Sequence, residues 1–356
     1  MREIKASFPA YVEDAAFFVD ENCILKVNPT AAECGIRVGE DVRDMIYAGY
    51  QEYTNFKSGL LYLELIIQDR RRSAAVMIEK GYHLFCLLKE YDNAELKAMA
   101  LAGHYLVHPL QESLANLQLL EYKIGKMEDE AAQHLMDGSL KRNLFQMMRA
   151  INNMKDASRF PAIRAEMQTY MDISEVYGDM VKQLHELEGM LKRKFIYKGL
   201  NRKVITLVDR QALERAFYNL ISNAVKFSPA GSPITIRLTT SQSKVLVTVT
   251  NKTLPCVIRE DQFFTRYLRQ AVPESLNNGI GLGMNVVRTI ASAHKGAVFI
   301  HPEDDTVMSV TMTVHIADSA ESLFRSSSFQ VVRYGGYDTA LTELSDVLPM
   351  SVYEDM

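Results

Sequence analysis

The chain is short of cysteine, of net charge and of long apolar runs, and each shortage closes off a class of protein. Its four cysteines, Cys23, Cys34, Cys86 and Cys256, are scattered, with no CxxC pair and no zinc-ligand spacing. That argues against a disulfide framework or a structural zinc and fits reduced thiols. Forty Lys and Arg against 44 Asp and Glu leave a formal charge of −4. So even a balance gives no electrostatic footprint for nucleic acid or for an anionic membrane surface. No apolar stretch approaches the roughly 18 residues that a membrane span needs. The opening MREIKASFPAYVED also lacks the charged-then-apolar layout of a signal peptide. The expectation is a soluble, cytoplasmic chain with no membrane span and no nucleic-acid partner. The run Arg70 to Arg72 is expected in a hairpin turn.

What is present divides into four segments, since 356 residues exceed one ordinary core. Residues 1–92 mix short strands and turns. FFVDENCILKV has two apolar runs around Asp20-Glu21-Asn22, a hairpin signal, and YLELIIQ, SAAVMIEKG and YHLFCLLKE are three further β-rich runs. With Asn28, Ala31 and Ala32 as an N-x-x-A-A stretch and a glycine pair at Gly35 and Gly39, this layout resembles a PAS sensor domain. Residues 93–165 carry two apolar stripes, Leu106, Leu110, Leu114, Leu117, Leu120, Ile124 and then Leu140, Leu144, Met147, Ile151, Met154. Their 3.5-residue period predicts an antiparallel helical hairpin that a second copy completes as a four-helix bundle, hence a homodimer. Residues 166–317 alternate helices with β-rich runs, and predict helices on one face of a mixed sheet. Residues 318–356 open with a linker-like SAESLFRSSSFQ and close with one short amphipathic helix. No chemistry is read in this tail, which is expected either to dock or to remain unstructured.

Two elements of the third segment carry chemistry. Asn219, Asn223 and Lys226 fall at i, i+4 and i+7, on one helical face, while Leu213, Phe217, Leu220, Ala224 and Val225 form an apolar stripe on another. An amide oxygen suits Mg²⁺ and a lysine meets phosphate as a point charge. In NNGIGLGMNVVRTIASAHKG, glycines 279, 281 and 283 open a helix that closes at Gly296. Glycines admit an anion close to the backbone, and a helix N-terminus presents free N–H groups. No Lys-Ser/Thr follows, so this is not a Walker A loop.

Together, N-L-I-S-N-A-V-K-F-S and the later G-I-G-L-G-M resemble the catalytic domain of sensor histidine kinases. The fold so implied is an α/β sandwich of the histidine-kinase, gyrase and chaperone type. The resemblance implies ATP and Mg²⁺ as ligands, with Asn223 on the metal, Asn219 and Lys226 near the phosphates, and Gly279, Gly281, Leu282 and Gly283 closing a lid. Phe264 and Arg269 match the family's F-x-x-F-x-R stretch. Asn251 stands where the family has the aspartate that accepts from the adenine amino group, and Thr253 replaces a glycine two positions on; an amide still accepts that bond, without the charge.

AGHYLVHPLQESL on the first hairpin helix resembles the phosphoacceptor motif, with His104, Pro109 and Leu110 in register. Tyr105 replaces the family's glutamate base and His108 its threonine or asparagine; His108 shares the face of His104 and is a candidate base or proton relay. The implied activity is autophosphorylation of His104 from ATP, then transfer to an aspartate on a response-regulator receiver domain. The departures keep a second reading open, a degenerate, pseudokinase-like scaffold acting through dimerisation. A gyrase- or chaperone-type ATPase is opposed by the hairpin and the absence of a transducer segment, and an anti-sigma-type serine kinase would not need residues 93–165.

Overall fold

Three tight hairpins organise the N-terminal third. The computed structural model describes residues 7–9, 12, 14–88, 110–111, 113–114, 138–157, 168–253, 283–316, 338–349 and 351–354. Strands β1 (Ala16–Asp20) and β2 (Cys23–Val27) are joined through Glu21 and Asn22, both at positive φ. Gln68 and Asp69 turn β4 (Leu60–Ile67) into β5 (Arg70–Glu79), and Lys80 and Gly81 turn β5 into β6 (Tyr82–Leu87), again with positive φ. Paired left-handed residues give the turn whose twist matches that of the strands it joins. The expectation for Arg70 to Arg72 is therefore corrected: the turn is Gln68-Asp69, and the arginines begin β5, with Arg70 opposite Ile67. Arg71 lies over the Tyr47 ring at 3.8 Å. Between the first and second hairpins lie α1 (Pro29–Glu33), capped by the Asn28 side chain, β3 (Ile46–Ala48) and α2 (Tyr50–Thr54).

Further along come helix α3 (Gly138–Ala157), β7 (Thr169–Asp172), α4 (Ile173–Glu186), α5 (Glu188–Leu191), β8 (Phe195–Lys198) and β9 (Ile205–Val208). Then follow α6 (Arg210–Phe227), β10 (Ile234–Ser241), β11 (Lys244–Lys252), α7 (Gly283–Ala293), β12 (Val298–Asp304) and β13 (Val307–His315). Two short helices close the described chain, α8 (Thr339–Glu343) and α9 (Ser351–Glu354).

The strands from both halves form one sheet in the order β2-β1-β6-β5-β4-β12-β13-β11-β10-β8, with β3 also on β4 and β7 paired separately with β9. In the C-terminal part, alternate residues such as Ile234, Ile236, Val247, Val249, Met312 and Val314 are buried under α4, α6 and α7. The opposite face carries hydroxyl pairs, Thr248 with Thr311 and Thr250 with Ser309, at 2.8 and 2.7 Å. This is the one-sided helix-on-sheet layering that period-2 alternation predicts.

The join between the halves is a real seam of the fold. Antiparallel β4 and β12 match Leu60 with Ile300, Leu61 with Phe299 and Tyr62 with Val298. Gly59, at φ +82°, brings the chain so near that a Cβ would lie 2.5 Å from the Ile300 carbonyl oxygen. Beneath the seam, Glu52 accepts from the Thr313 hydroxyl at 2.5 Å and pairs with Lys244 at 3.2 Å, all three buried. Arg288 of α7 stacks on Tyr62 of β4 at 4.6 Å. One apolar cluster runs through the seam, containing Phe18, Tyr62 and Met77 together with Val298 and Ile290. The second, of Phe17, Leu61, Leu65 and Phe85, lies on the other face of the N-terminal strands.

Of the first helix expected in 93–165, the described residues 110, 111, 113 and 114 are helical, with Leu110 and Leu114 buried. On α3, Phe145, Met148, Arg149 and Asn152 are buried, whereas Met147 of the expected stripe is exposed. The covered face is the one that meets α8 and α9. Among the described residues no helix is long and apolar enough to cross a membrane.

Removing a partner from a buried ion pair leaves the other charge uncompensated, at a cost of about 3 kcal/mol or more. Glu52→Ala is therefore expected to lower unfolding stability by about 3 kcal/mol in urea titration, where an exposed pair loses under about 1 kcal/mol; a loss of the smaller size contradicts the seam.

Candidate functional site

Helix α6 is fixed at its start by Asp209, whose carboxylate caps the helix by accepting from Ala212 N at 3.0 Å. The Asp209 N–H in turn donates to His294 Nε2 at 3.1 Å, and His294 Nδ1 lies 2.7 Å from the Ile290 carbonyl oxygen. With Nε2 accepting, the ring proton resides on Nδ1, so this buried imidazole is neutral and ties the start of α6 to the end of α7. Leu213, Phe217, Leu220, Ala224 and Val225 are all buried, as the stripe predicts.

The polar face of α6 is buried at Asn219 and half-buried beyond it. Asn219 is fully buried and lies against Gly283, where an added Cβ would approach its Oδ1 to 2.8 Å. The asparagine helix and the last glycine of the glycine-rich stretch therefore meet, and a side chain at Gly283 would have to displace the amide. Asn223 is half-buried one turn further on. Lys226 is half-buried at the end of the face, where burial pushes its ammonium below the usual lysine range and Asp346 opposes that push. Asn251 is buried at the end of β11; its Nδ2 donates to the Lys252 carbonyl at 2.8 Å, so its Oδ1 is the group oriented to accept elsewhere. Thr253 follows, held by its N–H to the Thr306 carbonyl at 2.7 Å. His104, His108, Phe264, Arg269, Gly279, Gly281 and Leu282 lie outside the described residues.

Four further residues complete the site, and the motif did not point to them. Arg215, one turn before Asn219, donates to Glu343 Oε1 at 3.0 Å and to Asn153 Oδ1 at 3.2 Å. Glu343 Oε2 accepts from Asn219 Nδ2 at 3.2 Å. Arg149 of α3 donates to Asn219 Oδ1 at 3.3 Å, lies 3.6 Å from Glu343 and pairs with Asp346. Lys226 donates to Asp346 at 2.7 Å. Tail residues thus dock on α6 and α3, the first of the two outcomes expected for residues 318–356. Arg215 had one available signal, its i−4 position on the Asn219 face; Glu343 and Asp346 are two ordinary acids in a five-residue helix and the turn after it.

Three cations, Arg149, Arg215 and Lys226, converge on two carboxylates, leaving one positive charge in excess. Such a set, beside an amide-bearing helix and a glycine that admits no side chain, suits the oxygens of a phosphate chain. Hard oxygen donors for Mg²⁺ are at hand in the amide of Asn223. No cluster of three His, Cys, Asp or Glu side chains arranged for a metal occurs among the described residues, so the protein would hold the ion chiefly together with the phosphates.

Residues 208–318, from the cap of α6 to the end of β13, match the family described as histidine kinase-, DNA gyrase B- and HSP90-like ATPase. This part of the chain, about a third of its length, is similar to the ATPase domains of that family. The chain is also 25% identical over 253 residues to histidine kinase P4 of Formosa agariphila, covering 65% of this chain and 17% of that protein. It is 24% identical over 287 residues to the sensor histidine kinase TmoS of Ectopseudomonas mendocina, covering 76% and 29%. Among solved structures it is similar to full-length ShkA in complex with AMPPNP, at 17% identity and a TM-score of 0.42, over 63% of this chain and 47% of that one. The family likeness of the chain is to sensor histidine kinases, and it spans less than a third of the length of these curated relatives.

Burial alone raises the Asp346 carboxyl, but Arg149 and Lys226 outweigh it and hold the group below the usual carboxylate range. A carboxyl depressed in the folded state contributes stability that is complete above its ordinary value near about 3.9 and is lost as pH falls through the folded value. Asp346→Asn is therefore expected to lower urea stability by about 2 kcal/mol at pH 7, the scale of bonds to charged groups. The gap from the unsubstituted chain should narrow below about pH 4; a gap independent of pH contradicts the assignment.

Proposed function

We propose that the chain is a sensor histidine kinase in which residues 1–92 form a PAS-like sensor, 93–165 a dimerising phosphotransfer hairpin and 166–317 the ATP-binding catalytic domain. The observation that supports this reading is the meeting of Asn219 with Gly283, on the helix that carries Lys226 two turns further on. The five-stranded N-terminal order β2-β1-β6-β5-β4, with short helices between β2 and β4, supports the PAS-like reading.

In this function Lys226 and Arg149 hold phosphate oxygens, Asn223 supplies an oxygen to the metal, and the Asn251 amide accepts from the adenine amino group. Mg²⁺, when bound, neutralises phosphate charge. An imidazole nitrogen of His104 attacks the γ-phosphorus, an N–P bond forms, the bond to the bridging oxygen breaks, and ADP leaves. The imidazole proton passes to His108 or to solvent. Positioning and charge stabilisation, rather than covalent work by the domain, account for the rate. The phosphoryl group then passes to a receiver-domain aspartate.

The pseudokinase-like scaffold remains the second reading, favoured by the uncharged Asn251 and by the occupation of Asn219 and Lys226 by tail carboxylates. Incubation with γ-labelled ATP separates the two. Acid-labile label is expected on the chain, lost in His104→Ala and lowered about 100-fold in Asn223→Ala, the scale for removing one group that stabilises developing charge. Label that survives in His104→Ala overturns the phosphoacceptor, and ATP binding without any label favours the scaffold.

A further inference from the structure

We propose that residues 338–354 are an intramolecular competitor of the nucleotide, with Glu343 and Asp346 seated on the cation-and-amide face that phosphate oxygens would take. The inference rests on the reading of α6 and Gly283 as a nucleotide site and adds its regulation: the folded chain described here is the closed state.

Three observations carry it. The first is chemical equivalence. A carboxylate offers two anionic oxygens, and those of Glu343 meet the Arg215 guanidinium and the Asn219 amide, while Asp346 meets Lys226 and Arg149. These are the groups a phosphate would choose. The second is exclusion. Asn219 is used at both ends, its Nδ2 by Glu343 and its Oδ1 by Arg149, and the Lys226 ammonium is held by Asp346. The Asn219 amide gives its two N–H bonds to the Arg215 carbonyl and to Glu343, so a phosphate reaching it must release Glu343, and one reaching Lys226 must share or displace Asp346. The two ligands compete for the same donors.

The third is that the segment is seated by a built surface and is not a stray tail. Leu344, Leu348 and Tyr353 are buried, with Tyr353 5.1 Å from the Phe145 ring and its hydroxyl donating to the Leu341 carbonyl at 2.9 Å. Arg142 and Gln146 of α3 donate to the Ser345 carbonyl, each at 3.2 Å. The Asp338 side chain caps α8. The competitor is thus bolted to α3 on one side and to the site on the other, so a shift of α3 against α6 loosens it. Release would leave Arg149 and Arg215 without their carboxylates, and incoming phosphates supply replacements. The exchange is close to balanced, because a buried charge is costly only while it lacks a partner.

Affinity for a ligand that binds only the open state is reduced by the fraction open, so a docked population of about 90% weakens nucleotide binding about tenfold. Two full-length variants test this by calorimetry with the Mg²⁺ complex of a non-hydrolysable ATP analogue. Glu343→Gln with Asp346→Asn removes the charges. Leu344→Glu with Leu348→Glu evicts the apolar anchors and leaves both carboxylates and Arg215 untouched, which guards against misfolding caused by neutralising Glu343. Both variants are expected to bind the analogue at least tenfold more tightly than the unsubstituted chain. Equal affinity in all three proteins overturns the competitor while leaving the nucleotide site standing. Weaker binding in the variants overturns it too, because the carboxylates would then be helping to hold the metal. Binding by none of the three overturns the nucleotide reading and the competitor together.

Discussion

Buried positive charge has to be matched, and most of what is distinctive in this protein follows from Arg215. Its guanidinium is almost wholly inside the fold, on the same helical face as Asn219. A charge so placed is tolerable only with a hydrogen-bonded counter-ion, and among the described residues Glu343, 128 residues away in sequence, is such a partner. That requirement brings the C-terminal segment onto α6. It draws in Arg149 and Asp346, and it makes the face of α6 that would otherwise be open to solvent the centre of a four-element cluster of α3, α6, α8 and the turn after it. The same cluster gathers three cations against the asparagine-bearing face of α6.

The second constraint is the unbroken sheet. The N-terminal and C-terminal strands are not separate sheets: β4 and β12 are adjacent strands and one apolar cluster passes between them. Helix α7, which begins at Gly283, packs on β4 as well as on β12 and β13, with Arg288 stacked on Tyr62. Burial holds the Arg288 guanidinium below its usual range, with Tyr62 and Glu64 opposing that. A residue of the glycine-rich stretch is thereby one helix away from the N-terminal strands. Communication between the halves needs no flexible linker, since they share backbone hydrogen bonds.

Much of this was legible in the sequence where local periodicity decides the outcome. The asparagine face and the apolar stripe of α6 are separated by helical geometry alone, and both are found where the 3.6-residue period puts them. Strands β10, β11 and β13 announce themselves by alternation. What was not legible depends on distant partners. Nothing in TELSD indicates that its two acids pair with Arg215 and Lys226, because any acid on a short helix looks solvated. The arginine run was misplaced since Gln68-Asp69 lacks the glycine or asparagine that usually marks a two-residue turn, yet both adopt positive φ. The join of β4 to β12 is equally silent, for pairing between strands more than two hundred residues apart leaves no local trace. On α3, the 3.5-residue stripe named Met147, while the face covered within the chain holds Phe145 and Met148.

Amide hydrogen exchange through residues 338–354, with and without a saturating non-hydrolysable ATP analogue and Mg²⁺, probes the shared site most directly. If one face of α6 serves both the tail and the nucleotide, protection of the α8 amides falls towards that of an unstructured peptide as the analogue saturates. Protection that stays unchanged at full occupancy means that tail and nucleotide sit in different places, and the account of the site is then wrong.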